Sequence, residues 1–403
     1  MTRHTPHAVL TPAIVLLMSI ASGLVVASDY YAQPLLHTIG LEFGLSTAAA
    51  GAIVTTAQLS FAVGLLLLVP LGDLLERRSL IVSMTLCTAV GMALVAFAPN
   101  LGVVLAGTAL AGLFSVVGQV MVPFAATLAA PQERGRVVGT VMSGLLLGIL
   151  LARTAAGALA DLGNWRTVYW LAAILLVVLA GALWRVLPRY PGNTAMSYGA
   201  LLRSIGTLMV QEPLFRARSL LGALLFAQFS ALWTSLTFLL ANPPYGYSEG
   251  AIGLFGLAGA AGAFAARSFG HMADRGHINR CTRLGLWLLL ASWLALSAGA
   301  GSLAALLGGI LVLDLAIQGL QVTNQACIYR LRPDARSRIT AGYMTSYFIG
   351  GAAGSFASAN AYAHAGWRGV CILGGALAVL SLLYGTLSRN ARVVENAPAS
   401  NPA

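Results

Sequence analysis

The sequence predicts an all-α membrane protein: twelve transmembrane helices in two six-helix bundles related by a pseudo-twofold axis. Three observations predict it. Of 403 residues, 58% are hydrophobic and only 9% are charged, against roughly 25% in soluble domains, so lipid must be part of the solvent. Apolar runs of spanning length recur along the whole chain. The second half also repeats landmarks of the first at a constant offset.

A spanning helix needs roughly 20 mostly apolar residues. Segments of that kind lie near 11–37, 47–70, 79–98, 101–128, 136–159, 167–187, 219–241, 250–269, 283–300, 303–329, 338–362 and 368–387. They read as helices because lipid cannot satisfy open backbone groups, and they are too long and uniformly apolar for barrel strands. Arg3, the apolar stretch after it and Val25-Val26-Ala27 imitate a cleaved signal peptide. The run from Thr11 to about Leu36 exceeds an ordinary signal core and reads as the first span.

Charge placement gives the orientation. All 23 basic residues are Arg, and the net charge is +11. Twenty arginines fall in one alternating set of loops and termini; only Arg166 and Arg368 fall in the other set, and Arg153 lies inside a span. The positive-inside rule then makes both termini cytoplasmic. The same placement explains the basic pI without nucleic acid. The Pro-, Gly-, Ser- and Arg-containing stretch 188–218 reads as a cytoplasmic linker with a short surface helix at Ala200–Val210. It separates an N-terminal bundle (1–187) from a C-terminal bundle (219–392), and 393–403 reads as a disordered tail. Cys87, Cys281, Cys327 and Cys371 are scattered and form no C-x-x-C, which predicts structural thiols and no metal.

The repeat has a register. Pro131-Gln-Glu-Arg134-Gly-Arg136 recurs as Pro333-Asp-Ala-Arg336-Ser-Arg338. Met142 answers to Met344, Gly148 to Gly350, Gln119 to Gln321 and Trp165-Arg166 to Trp367-Arg368, each 202 residues apart. Shared membrane composition explains matching Gly and Ala; it does not explain Arg-x-Arg and Trp-Arg. The register predicts a duplication.

Parallel six-span repeats are the plan of major facilitator transporters. The loop Pro70-Leu-Gly-Asp73-Leu-Leu-Glu-Arg77-Arg78 resembles that family's G-x-x-x-D-R-x-G-R-R signature, with Val69, Leu74 and Glu76 as departures. Gly270-His-Met-Ala-Asp274-Arg275-Gly276 resembles its second copy. The resemblance implies that Asp73, Arg77, Arg78, Asp274 and Arg275 belong to gating loops, with Asp73 latching one half against the other; a topology-setting charged loop is the alternative. Span five resembles the antiporter signature G-x8-G-x3-G-P-x-x-G-G through Gly135, Gly144 and Gly148, with Ile149 at the Pro and Ala152-Arg153 at the Gly pair. Gly144 and Gly148 also suit close helix packing. Thr108 stands where proton-driven drug exporters often carry Arg. Overall the chain resembles the bacterial twelve-span drug/sugar efflux (proton antiporter) branch. That implies a monomer in the bacterial inner membrane.

Three ionisable residues lie inside spans: Asp29, Arg153 and Asp314. Each costs about 2.5–3.5 kcal/mol at mid-helix on insertion scales, so each should face protein. Asp29 and Arg153 have similar depth on neighbouring spans, which suggests an ion pair; Asp29 at the interface and a snorkelling Arg153 is the alternative. Span ten carries Asp314, Gln318, Gln321 and Gln325 on one face with Asn324 beside it. The face reads either as glue between helices or as a site wall with Asp314 as proton carrier near the midplane. Tyr30, Tyr31, Gln33, Gln58, Gln119, Gln228, Trp233, Tyr343 and Tyr347 are further cavity residues. Their mix of amides and rings suits an uncharged or amphiphilic small molecule.

The function expected is secondary active transport by alternating access, with proton-coupled efflux of a small organic solute. Uptake or uniport is the alternative, and a non-transporting receptor or scaffold is the reading from another class. No nucleophile–base pair, metal-spaced cluster or phosphate loop suggests an enzyme or an ATP-driven pump. The partners expected are substrate, proton and lipid bilayer, with no cofactor.

Overall fold

The computed structural model describes residues 10–192, 197–259, 268–273, 275–332 and 335–388. Arg3, Arg267, Asp274, Pro333, Asp334, Arg389, Arg392 and the tail 393–403 lie outside them. All regular elements described are helices. They are α1 (Pro12–Ala27), α2 (Ala32–Glu42), α3 (Thr47–Leu67), α4 (Leu71–Leu74), α5 (Arg77–Ala96), α6 (Leu101–Phe114), α7 (Val117–Leu128), α8 (Arg134–Leu162) and α9 (Trp165–Val186). They continue with α10 (Tyr198–Gln211), α11 (Pro213–Ala241), α12 (Glu249–Leu254) and its 3₁₀ extension Phe255–Gly259, α13 (Ile278–Ser297), α14 (Leu303–Ile328) and α15 (Arg336–Leu387).

Nine stretches among the described residues are long and apolar enough to cross a membrane. The last, Ser337–Leu387, covers two of the expected segments. It is interrupted at Ala365 and Gly366, where Gly366 takes φ +57°. That left-handed value costs glycine little. Helix starts are written locally. Thr11, Ser46, Asn100, Ser197 and Ser302 each accept a backbone N–H three residues on. Asn164 and Thr167 form a reciprocal capping box at α9.

The expected linker holds α10 close to the surface helix read from sequence, but it ends earlier than 218. α11 already begins at Pro213. Arg218, counted as a loop arginine, is fully buried inside that helix. The segment looked polar because Arg216 and Arg218 break the apolar run, and hydropathy cannot tell a loop arginine from one buried between helices.

Large apolar side chains cover the outside, as lipid requires: Leu146, Leu147, Ile174 and Val178 on α8 and α9, Leu294 on α13. Inside, buried apolar residues form two large clusters. One is drawn mainly from α1–α10, the other from α11–α15. α1 packs on α8, α5 on α6 and α9, α11 on α15, and α13 on α14, while α3 packs on both α6 and α15.

A Cβ on Gly144 would enter the backbone of Ser19, and one on Gly148 the backbone of Gly23, both on α1. The residue 202 positions after Gly148 does the equivalent job: a Cβ on Gly350 would enter the backbone of Ala223 on α11. Each long helix therefore meets an earlier helix backbone to backbone, at matched repeat positions.

Candidate functional site

The Arg153 guanidinium is the hub of a buried polar cluster. α8 carries it between α1–α2, α11 and α14, and only 4% of the residue is exposed. Its Nε donates to Gln33 Oε1. Its Cζ lies 4.2 Å from the Trp233 ring centroid, 5.1 Å from Tyr30 and 5.4 Å from Phe229. Desolvated cation–π contacts of this kind stabilise by about 2 kcal/mol. Trp233 Nε1 in turn donates to Asp314 Oδ1 at 3.4 Å. The indole thus stands as a bridge between the guanidinium and the carboxylate. Among the described residues, Arg153 and Asp314 are not an ion pair. The three ion pairs among the described residues are Arg77–Asp73, Arg166–Glu42 and Arg332–Glu212.

The expected Asp29–Arg153 pair is therefore a correction. Both Asp29 carboxylate oxygens are buried without a hydrogen-bond partner. The reason is local. Between α1 and α2, Ser28, Asp29 and Tyr30 bond back to Val25, Val26 and Ala27, an i→i−3 pattern. That tightens the chain to about three residues per turn and rotates the residues beyond it. Gln33 and Tyr30 come round to Arg153, and Asp29 does not. Pro34 falls in the first turn of α2, where its missing N–H costs nothing.

The span-ten face divides. Asp314 joins the Arg153 cluster. Ten residues on, about 15 Å along the helix, Asn324 Oδ1 accepts from Arg218 Nη1 at 3.2 Å and Asn324 Nδ2 donates to the Tyr343 hydroxyl at 3.3 Å. Tyr343 donates to Gln321 Oε1 at 2.6 Å. Arg218 also donates to Thr282 Oγ1 at 3.0 Å. Gln318 and Gln325 are half-buried.

Rings connect the two levels. Phe229 lies 6.1 Å from Trp233 and 5.3 Å from Phe226, and Phe226 stacks on Tyr347 at 4.1 Å. Phe61 of α3 stacks on Phe348 of α15 at 4.2 Å. This layer covers the cluster toward the arginine-rich ends of the helices. Toward the other ends the cover is polar. Thr38 touches Glu249, Ser248 Oγ donates to Asp161 Oδ2 at 2.8 Å, and Thr154 Oγ1 donates to the Gly253 carbonyl at 2.9 Å. Thr237 Oγ1 donates to the Gln33 carbonyl at 2.7 Å.

Other expected residues fall elsewhere. Gln228 is glue: its Nε2 donates to Ser381 Oγ, and its Oε1 accepts from Trp293 Nε1 at 3.1 Å. Gln58 is fully buried with both amide atoms unpartnered, Tyr31 is buried, and Gln119 is half-buried. Asp73 pairs with Arg77 of its own loop at 3.4 Å. Arg77 also reaches the Gly72 carbonyl and Thr127, and Arg78 lies over the Trp184 ring at 4.2 Å. These loop contacts stay within the first 190 residues. Arg275 is exposed. Phe229, Phe61, Phe348 and Arg218 were missed from sequence. Phe229, four residues before Trp233, was the readable one.

The sequence matches the Major Facilitator Superfamily model over residues 18–293. The chain belongs to the Major Facilitator Superfamily. Among relatives of this superfamily member, the uncharacterized transporter YgaY of Escherichia coli O157:H7 is 60% identical over 94% of this chain and 96% of its own. A Streptomyces coelicolor protein named "Probable transporter SCO4007" is 31% identical over 90% and 85%. The fold matches an inward-facing, occupied crystal structure of a bacterial homologue of the human lysosomal transporter Spinster. That match has a TM-score of 0.76 at 14% identity and covers 96% of this chain and 98% of that one. This facilitator is thus a multi-pass membrane transporter and not an enzyme.

Proposed function

We propose that the protein is a secondary active transporter working by alternating access, and that it exports a small organic solute in exchange for protons. The observation that carries this is the Arg153–Trp233–Asp314 cluster: two opposite charges buried in the membrane zone, separated by a ring and shared between elements on both sides of the 202-residue repeat. Buried charges in membrane helices are costly, and they are kept where they move ions or substrate. Twelve spans in two bundles joined by the 188–218 linker, with both termini in the cytoplasm of a bacterial inner membrane, complete the proposal. The arginine-rich side is then cytoplasmic, and the Asp161–Ser248 contacts form the closed outer gate. Efflux is supported by the antiporter-like glycines: Gly144 and Gly148 lock α8 against α1.

Asp314 is the proposed proton carrier. It gates exchange because gaining or losing a proton changes the charge that faces Arg153 across the Trp233 ring. In proteoliposomes with an imposed pH gradient, wild-type protein is expected to drive solute flux that collapses with a protonophore. Asp314→Asn should lower gradient-driven flux at least about tenfold, the factor for about 1.4 kcal/mol, while leaving solute exchange at equal pH. Full gradient-driven flux in Asp314→Asn would remove proton coupling through this residue; flux insensitive to pH on both proteins would favour uniport.

A further inference from the structure

We infer that the substrate is an organic anion, its negative group held by Arg153 Nη2 and Gln33 Nε2 and its planar apolar part lying along Phe229. The inference rests on the transport reading above and adds the chemical class.

The donors are the first observation. Arg153 is a buried cation, and among the described residues it has no carboxylate at ion-pair distance. Rings occupy its surroundings and Gln33 occupies its Nε, yet Nη2 has no acceptor. The contact that fixes Gln33 Oε1 leaves the other end of that amide, Nε2, equally without a partner. Two unpartnered donors, one of them charged, thus sit on directly bonded side chains. Buried donors are satisfied in the great majority of native sites. A guanidinium fork is matched in shape and charge by the two oxygens of a carboxylate.

The acceptors give the second observation. Asp314 already takes the Trp233 indole N–H. An incoming amine would therefore meet a carboxylate with one oxygen already taken, beside a guanidinium that repels it. A neutral polyol would leave Arg153 unbalanced. The third observation is the wall: Phe229, half-buried between Trp233 and Phe226, is the ring along which a flat apolar body would lie beside the guanidinium. Asp29, whose oxygens also lack partners, and the Asp314 carboxylate would suit a cation, and the experiment includes cations for that reason.

The probes are benzoate, phenylacetate and indole-3-acetate, beside benzamide, indole-3-acetamide and benzylamine, each added to purified full-length protein in thermal-shift measurements. At least one carboxylate is expected to raise Tm by about 2–4 °C, as a ligand at roughly ten times its Kd would, with its matched amide and amine giving no shift. Gln33→Leu and Arg153→Gln should each lose most of that shift while eluting as monodisperse protein; Arg153→Lys should keep part of it. Equal stabilisation by an amide or by benzylamine would overturn the proposal. So would a carboxylate shift unchanged in Arg153→Gln, or no response to any carboxylate. Because binding is read apart from flux, the two claims separate. A bound carboxylate that no pH gradient moves in proteoliposomes keeps the anion site and removes proton-coupled export. Gradient-driven movement of an amide or amine keeps transport and removes the anion.

Discussion

Replacing Arg153 by glutamine is expected to abolish transport and leave the fold at least as stable. The two effects part because the charge does not serve the fold. A buried ion without an ion-pair partner costs several kcal/mol of desolvation, and the surrounding rings repay part of it. Neutralising it removes that cost. The site, by contrast, loses a charge-assisted hydrogen bond of about 1.5–3 kcal/mol and a desolvated cation–π contact of about 2 kcal/mol. If both act on the loaded state, the loss is at least about a hundredfold in flux, at about 1.4 kcal/mol per decade. Arg153→Lys should recover little flux, since an ammonium has neither the planar fork nor the stacking face. Flux per reconstituted protein and Tm in detergent check the two halves separately. A large drop in Tm with near-normal flux would make Arg153 a structural residue.

Gly148→Leu is expected to have the opposite signature: loss of the folded protein itself. A Cβ at that position would already enter the Gly23 backbone. Backbone cannot rotate away as a side chain can, so α1 must separate from α8. Overpacking ordinarily costs about 1–3 kcal/mol, and this case lies at or beyond the upper end, because the neighbour is main chain on both sides. Gly139 on the same helix is the control. It is exposed, and a Cβ there would meet nothing within 4 Å, so Gly139→Leu should be accepted by lipid. Fluorescence size-exclusion profiles of the two variants check this. Equal yield of monodisperse protein from both would show that α1 and α8 are not held at backbone contact.

Much of this architecture could be read from the chain, and the reasons are physical. Lipid demands long uninterrupted apolar helices, so α3, α5, α9 and α14 announce themselves by composition. Their caps, such as Ser46 and Ser302, mark starts that any helix in water or lipid needs. The 202-residue register was legible because Arg-x-Arg and Trp-Arg are improbable coincidences; Gly148 and Gly350 each bring their helix to backbone contact, with α1 and α11. What failed depended on rotation and on depth. Asp29 and Gln33 share a face only if the helix keeps 3.6 residues per turn, and the i→i−3 bonds at Ser28–Tyr30 remove that condition. Arg218 looked like a loop residue because a local window shows charge and cannot show the Thr282 and Asn324 partners that reach it from α13 and α14. Gln228 looked like a cavity residue because an amide in an apolar run is equally suited to Trp293 and Ser381.

The charges of the proposed site have no charged counterpart at the 202-residue offset. Arg153 answers to Ser355, which bonds Thr234 and Thr55. Asp314 answers to Gly112, whose absent side chain lets α6 approach Ala57 of α3. Where one half carries charge, the other carries a tight helix contact.

Alternating access is the centre of this account, and the Asp161–Ser248 contact tests it most directly. Both residues are exposed, and their side chains meet at 2.8 Å across α8 and the start of α12. In protein with Cys87, Cys281, Cys327 and Cys371 replaced by alanine, Asp161→Cys and Ser248→Cys are introduced together. A short bis-methanethiosulfonate reagent then bridges them after reconstitution, each cysteine thiolate displacing one sulfinate to form a disulfide. If that end must open in every cycle, bridging stops flux and reduction restores it, while each single cysteine remains active after the same treatment. Flux continuing at its full rate through the bridged protein would contradict the account.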